Sequence, residues 1–494
     1  MTQVLIIGAG PTGLFLSYLL KRRGIDIRLI DKGSGPSIHS KATGIHSRTL
    51  EILDKEGLIE DFLAAGYHLN GLLIHSKGRE VKIEIDDTGD RYPFILGLPQ
   101  PETEGILINA LKKLGVKVEW NQEITGYDGN KPILNGQPLE IPWIIACEGA
   151  HSITRKSHPY SFLGKPLHEA VLLADVEADC PYPIDYIQPI FNGAHCSLLF
   201  PLPNNRFRVL FMHDESCTYT EEDLPTLCKQ YGYSSAFKIN KILWFTNFKL
   251  SARVVNTFRY GNIFVLGDAA HVHSPMLGQG MNTCFQDAYN LAWKLELVIK
   301  GDAHETLLDS FSEERIPVVE SMLRKTTLVT KLLTKQRVPL NFISKLANMI
   351  SHFTSLRKKI VRNMMMLTIG YKNSSITFEL DEDKQWKAPA LGFPAPNAKL
   401  QDGSFLLDHL HGTKHMLIHF NPHSAIRPTD FYDVLHLSGK DAKESYGART
   451  ESFFLIRPDG HIGYRTSNGS IKGLKDYLDR LHYCENRKRV VLNV

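Results

Sequence analysis

Three glycines near the N-terminus have the spacing that phosphate binding requires. GAGPTG sets Gly8, Gly10 and Gly13 in a GxGxxG pattern between the apolar run QVLII and LFLSYLLKRRG, where apolar residues recur at helical intervals up to Gly24. A second apolar run, IDIRLI, leads to Asp31 and Lys32. Strand, glycine turn, helix, strand and acid, in that order within about 30 residues, mark a dinucleotide site. Gly8 permits the tight turn, Gly10 lets the backbone approach a pyrophosphate, and Gly13 allows the helix to pack on the strand. Pro11 and Thr12 open a helix whose free N–H groups and positive dipole end face the phosphates. Asp31 can accept from a ribose diol. By itself this fingerprint fits FAD and NAD equally, and its bland alternative is an ordinary glycine-rich turn.

A second cluster lies far along the chain, in RYGNIFVLGDAAHVHSPMLGQGMN (259–282). NIFVL reads as a strand, and Gly267 and Asp268 leave its C-terminal end, where ligands sit in open α/β sheets. Asp268 is placed to accept from a sugar-like hydroxyl such as the ribityl chain of FAD. Gly278, Gly280, Met281 and Asn282 precede a helix through FQDAYNLAWKLELVIK, again offering bare N–H groups at a positive dipole end. Such an end would stabilise the negative charge of a reduced flavin. His271 and His273 are two apart, but no metal site is expected from them.

GAGPTGL, GDAAHVHSPMLGQGMN and FQDAYNLAWKL resemble the FAD-dependent aromatic-ring hydroxylases, the group A flavoprotein monooxygenases. The resemblance runs on through SKATGIHSRTLEIL (40–53), LPQPETEGIL (98–107), ACEGAHSITRK (146–156) and FSEERIPV (311–318). It implies an α/β fold: a Rossmann-like FAD-binding domain of the para-hydroxybenzoate hydroxylase type, a β-sheet substrate domain and a C-terminal thioredoxin-like domain. It implies FAD as cofactor, NAD(P)H as co-substrate without a separate nicotinamide domain, and O2. The implied reaction is hydroxylation of a phenolic or polyketide-like ring through a flavin C4a-hydroperoxide. Carried over by position, Gly8, Gly10 and Gly13 take the pyrophosphate and Asp31 the adenosine ribose. Lys41 and Gln100 lie along the phosphates and ribityl chain, and Ile124 offers backbone to adenine. Asp268 binds the ribityl or pyrophosphate region, while Gly280, Met281 and Asn282 line the isoalloxazine. Pro275 sits near the oxygen-reacting edge, and Glu313 and Arg315 hold the following helix. The sequence departs from the family at Lys41, where Arg is usual, at Glu148, where Asp is usual, and at Leu277, where Gly is usual.

Positioning these residues falls to a discontinuous FAD-binding domain (1–157 and 251–320) around a β-sheet substrate domain (158–250, with part of 68–100). Four strand-like runs in the latter, AVLLADVEAD, YIQPIFN, HCSLLFPLP and NRFRVLFMH, are broken by turns, one a hairpin at Asn204-Asn205. Only alternate side chains of a strand can face a pocket, and the sequence does not say which half does. His46, Tyr186, Gln188 and His195 are the candidates to orient or deprotonate a phenol, each against a plain reading as ordinary polarity.

A helical segment follows (321–380), without an acidic residue between 321 and 378. It reads as a membrane-surface or acidic-partner face or, the reading preferred, as helices packed on the flavin domain with a solvated basic side. Residues 381–403 read as a linker. The tail (388–494) carries a strand at HMLIHF, a hairpin at Pro458-Asp459-Gly460 and a final helix. Seven cysteines form no CxxC pair, so free thiols are expected and dithiol chemistry is not. Net charge is +4, too weak to point to nucleic acid. No apolar run is long enough to span a membrane and no signal peptide is read, so a cytoplasmic protein, possible as a homodimer, is expected. The rival readings are another FAD-dependent outcome (epoxidase, halogenase or reductase) and a non-enzymatic binding protein on the same fold.

Overall fold

The structure, a computed structural model, describes residues 2–481 apart from 39–41, 77, 86–89, 194, 335–348, 350–351, 401, 411–413, 422–425, 438, 450 and 470. Lys41, Cys484 and residues 335–348 and 350–351 of the expected helical segment therefore lie outside the described residues.

The apolar runs near the N-terminus form buried strands Val4–Ile7 and Ile27–Ile30, joined by the helix Pro11–Arg22. They belong to a five-stranded sheet with Trp143–Ala146, Ile263–Val265 and the short edge strand Arg259–Tyr260. The first four strands are parallel, with Val4–Ile7 between Ile27–Ile30 and Trp143–Ala146. The sequence-distant strand Ile263–Val265 thus ends on the same side as the GxGxxG turn. That is the geometry in which a parallel sheet collects ligand-binding loops.

The second sheet has eight strands. Phe162–Asp179 and Lys238–Val255 form its long antiparallel centre, continued by Arg206–Asp214, His195–Leu202, Gln188–Asn192, Gly71–Ser76 and Arg79–Glu84. Lys238–Val255 was not anticipated as a strand. Its pairing slips at three points, and each β-bulge breaks the alternation that reveals strands in sequence. Asn204 and Asn205 both adopt positive φ, as a tight hairpin turn requires. Two-residue strand His271–Val272 pairs with Arg253 and Val254 at the sheet's edge, so the segment after Asp268 joins one sheet to the other.

FSEERIPV lies within one 26-residue helix, Asp309–Thr334, which accommodates Pro317. The helix Thr354–Met364 then packs Val361 and Met365 against Leu69, Ile95 and Phe200. The tail is a five-stranded mixed sheet with helices Lys440–Tyr446 and Ile471–Leu481, which does not conflict with the thioredoxin-like expectation. The stretch read as a linker is irregular but packed: Gly392 N–H donates to Ile462 O and Ala395 N–H to Gly460 O.

The Pro458-Asp459-Gly460 hairpin docks the tail onto the helix Gly280–Ile299. Arg457 donates to both oxygens of Glu314 (2.6 and 2.9 Å), and Lys294 donates to Glu314 (2.7 Å). Trp293 Nε1 donates to Asp459 (3.3 Å), and Arg48 donates to the Asp459 carbonyl (2.9 Å). All these side chains are buried. Among the described residues no helix is long and apolar enough to cross a membrane.

Candidate functional site

Two glycine turns that stand more than 250 residues apart in sequence touch in the fold. A Cβ built on Gly267 would fall 2.6 Å from Thr12 Oγ1. Behind them the Phe15 and Phe285 rings meet, tilted, at 4.5 Å between centroids, where the helix Pro11–Arg22 packs on the helix Gly280–Ile299. Arg155 ties the ACEGAH segment to the same place by donating to Ala269 O (2.8 Å) and Ala150 O (2.7 Å).

The three N-terminal glycines differ in their reasons. Gly8 has φ +107° and a Cβ there would meet Cys147 O at 2.3 Å; at Gly13 it would meet Gly8 O at 1.9 Å. Both are enforced by close packing. At Gly10 a Cβ would meet nothing within 4 Å, so this glycine borders open space. Gly10 also caps its helix without any side-chain hydrogen bond, and Pro11 takes the first helical position. The first-turn N–H groups are thus left for a ligand.

Asp31 holds this turn from the next strand. One oxygen accepts from Ala9 N–H (2.6 Å), the other from Gly33 N–H (2.7 Å). A carboxylate has about four acceptor positions, so capacity remains for ribose hydroxyls. Lys32 is exposed, 4.0 Å from Glu123. Gln122 N–H donates to Asp31 O, which sets Ile124 at the start of the adjoining strand, with its side chain buried. Gln100 donates to the buried Glu104 (2.8 Å), whose other oxygen accepts from Ser37 N–H (3.1 Å).

At the second turn Asp268 is exposed between buried Gly267 and Ala269, with no hydrogen-bond partner among the described residues. Pro275–Leu277 form one 3-10 turn, ended by Gly278 in the left-handed region (φ +61°). Leu277 precedes that residue and takes no positive φ, so the leucine costs no backbone strain. The helix Gly280–Ile299 also starts without a side-chain cap. Asn282 is buried and committed: it donates to Gly44 O (2.8 Å) and Gly278 O (2.9 Å) and accepts from His46 N–H (2.9 Å). Its neighbour Met281 is buried in the main core.

His46 is brought to this turn. Its Nε2 lies 3.4 Å from where a Gly278 Cβ would be, and its Nδ1 lies 3.0 Å from Met364 O. Because a carbonyl only accepts, Nδ1 carries the proton and Nε2 is the acceptor. Burial holds its pKa down at about 4, so it is neutral near pH 7. Met364, on the helix Thr354–Met364, also accepts from Gln279 (3.2 Å). Nothing in the sequence linked these distant residues. His273 borders Gly280, while His271 is bonded to Asp287 (2.7 Å), itself paired with Arg315 (2.6 Å). Among the described residues no group of three metal-binding side chains occurs. Arg315 is buried and structural, whereas the buried acid beside it is Glu314. Glu313 merely accepts from Ser375 N–H. Glu148 accepts from Ser152 Oγ and from Thr154 N–H (3.1 Å), capping the short helix Ile153–Ser157.

The eight-stranded sheet presents two unlike faces. One packs Ile190, Leu199, Phe207 and Phe211 under Tyr231 and Tyr233, with Ile242 and Phe245 partly buried beside them. The other gathers Val171, Leu173, Leu210 and Met212 with Phe191, Leu198, Trp244 and Phe248, which stay only partly buried, and with Met276 of the second turn. Arg208 and Asp175 form a bidentate pair (2.7 and 2.8 Å) on this second face, with Arg208 5.5 Å from the Trp244 ring. Tyr186, Gln188 and His195 are not brought to it. Gln188 bonds His75 and Tyr186 O, Tyr186 sits under Lys82, and His195 meets Tyr231 in a tilted contact at the first face. Met276, Trp244 and Phe248 were missed. The only signal for the last two was strand alternation, which names two faces without choosing one.

A family model described as FAD binding domain matches residues 1–326. The chain belongs to this family. It is 30% identical to 6-methylpretetramide 4-monooxygenase of Streptomyces rimosus, over 97% of this chain and 93% of that protein. It is 28% identical to pentachlorophenol 4-monooxygenase of Sphingobium chlorophenolicum, over 84% of this chain and 79% of that one. Among solved structures, the OxyS anhydrotetracycline hydroxylase of Streptomyces rimosus superposes with a TM-score of 0.78 at 26% identity, covering 97% and 99% of the two chains. The protein is an FAD-dependent monooxygenase. Its residues fit the cofactor: around the contact between Gly267 and Thr12 stand an uncapped helix start, a glycine bordering open space and an exposed acid, and a second uncapped helix start follows at Gly280.

Proposed function

We propose that this flavoprotein hydroxylates a planar, largely apolar aromatic substrate, phenolic or polyketide-like, using NAD(P)H and O2. The observation that carries the reading is the open apolar face of the eight-stranded sheet, where Trp244 and Phe248 stay partly exposed in one cluster with Met276 of the flavin turn. Partly exposed aromatic side chains facing a cleft are what a flat ring stacks on.

In this reading the helix start at Gly10–Gly13 holds the FAD pyrophosphate and Asp31 the ribose. Gln100, Asp268 and the Ile124 backbone lie along the cofactor, and the helix start at Gly278–Asn282 faces its ring. FAD, when bound, supplies acceptance of a hydride from NAD(P)H and transfer of one oxygen atom from O2 to the substrate ring. The chain supplies the surroundings. The dipole end at Gly280 favours negative charge on the group it faces. Asn282 fixes Gly44, His46 and Gly278 as one unit. His46 is too weak a base at pKa about 4 to take a phenol's proton outright, and Nε2 instead orients a substrate hydroxyl by accepting its hydrogen bond. Pro275 and the apolar face keep water from the reacting edge.

The test is a screen of phenols and polycyclic quinols for substrate-stimulated NAD(P)H oxidation, with isotopically labelled O2 and mass spectrometry of the products. The expected result is one labelled oxygen in the ring of a stimulating compound. NAD(P)H oxidation that yields only hydrogen peroxide with every compound overturns the reading.

A further inference from the structure

Ten large hydrophobic side chains lie exposed among the described residues, and five of them, Leu328, Met349, Phe353, Leu356 and Ile360, fall within one short stretch. Phe353, Leu356 and Ile360 are three and four apart, the spacing that puts side chains on one helical face. Phe353 is 61% exposed and Leu328 58%. The opposite side of the helix Thr354–Met364 is already used: Val361 and Met365 are buried against the substrate sheet. The exposed apolar face is therefore a second one, which packing among the described residues does not explain.

Its surroundings have one sign of charge. No acidic residue occurs from 321 to 378, while Arg324, Lys325, Lys331, Lys359 and Arg362 do. Two acids beside it are paired: Glu320 with Arg324 and Asp90 with Arg362. Lys325 donates to Asn363 (3.1 Å), which joins the helix Asp309–Thr334 to Thr354–Met364. Leu328 and Lys331 follow Lys325 by one and nearly two turns on that helix.

We propose that this face docks on an anionic lipid surface, with Phe353, Leu356, Ile360 and Leu328 entering the interface and Lys331 and Lys359 meeting the headgroups. Apolar side chains flanked by lysines on one face are the pattern of interfacial helices, and the basic rim complements anionic lipid. A second copy of the chain is a poorer occupant, because a two-fold contact would bring like charges together. The same helix ends at Met364, whose carbonyl holds His46. The docked face is thus the outer side of an element that closes the site. The inference does not depend on which aromatic compound is hydroxylated.

The test is co-sedimentation of the FAD-loaded full-length protein with vesicles of phosphatidylcholine alone or mixed equally with phosphatidylglycerol. Binding to the mixed vesicles is expected to exceed binding to phosphatidylcholine about tenfold and to fall steeply as salt rises. Two variants, Phe353→Ser/Leu356→Ser/Ile360→Ser and Lys331→Glu/Lys359→Glu, each lose it while keeping flavin absorbance and melting temperature. The lysine pair lies outside the apolar face and keeps the test decisive if the triple variant folds poorly. Three results overturn the proposal: no sedimentation of wild type with anionic vesicles, undiminished binding by the charge-reversed variant, or a light-scattering mass of two chains that drops to one in the triple variant.

Discussion

At the junction between tail and flavin domain, Glu314 meets Arg457 and Lys294 at 2.6 to 2.9 Å, and every charged group is buried with a partner. At the glycine cradle two helix starts lack caps, Asp268 has no partner among the described residues, and Gly10 faces open space. Both regions gather polar groups on the helix Gly280–Ile299 or at its start. The difference teaches where a ligand belongs. Buried polar groups must be satisfied. Where the chain satisfies them the group is a structural joint, whereas the exposed Asp268 and the uncapped helix starts are left to take a cofactor.

The largest effect is expected from breaking the joint. Glu314→Ala leaves Arg457 and Lys294 as uncompensated buried cations, so stability falls by about 3–5 kcal/mol in denaturant unfolding. If the cradle and the joint are as unlike as the geometry says, FAD affinity of the folded fraction changes little. Acid titration sharpens the same contrast at His46. Its pKa is held near 4 in the folded chain, against about 6.5 when unfolded. The unfolded chain takes up the proton first, so this contribution is complete above about pH 6.5 and is lost as pH falls toward 4. It amounts to at most about 3 kcal/mol, and His46→Asn should flatten that part of the stability–pH profile. The third test compares two glycines of one motif. Gly13→Ala forces a Cβ to 1.9 Å from Gly8 O and should destabilise by about 1–3 kcal/mol even without cofactor. Gly10→Ala meets no protein atom and has an ordinary φ of −74°. It should leave the apoprotein within about 1 kcal/mol of wild type yet weaken FAD about tenfold by equilibrium titration.

The cradle was legible in sequence because its parts are local. Gly8, Gly10, Gly13 and Asp31 lie within one strand–helix–strand unit, and Gly267 to Asn282 within another. Their meeting at Thr12 followed from the parallel sheet, which aligns strand ends. The joint was not legible. Glu314, Lys294, Arg457 and Asp459 are charged and far apart, and a single sequence gives such residues the appearance of surface. Glu313 was named from the family resemblance and Glu314 was not; one position on a helix turns a side chain by about 100°, and it is Glu314 that the tail buries. The pocket face failed for a related reason: period two separates Leu198 from Leu199 without saying which side meets Met276. His46 was picked out, but its Met364 partner depends on a helix more than 300 residues away.

The most direct measurement is a crystal structure of the protein with FAD. The pyrophosphate should lie within hydrogen-bond distance of the N–H groups that open the helix Pro11–Arg22, with the isoalloxazine edge at Gly280–Asn282 and its face toward Met276 and Trp244. A flavin ring bound away from Gly280, or phosphates that bypass Gly10, would contradict a single cofactor bridging the two turns.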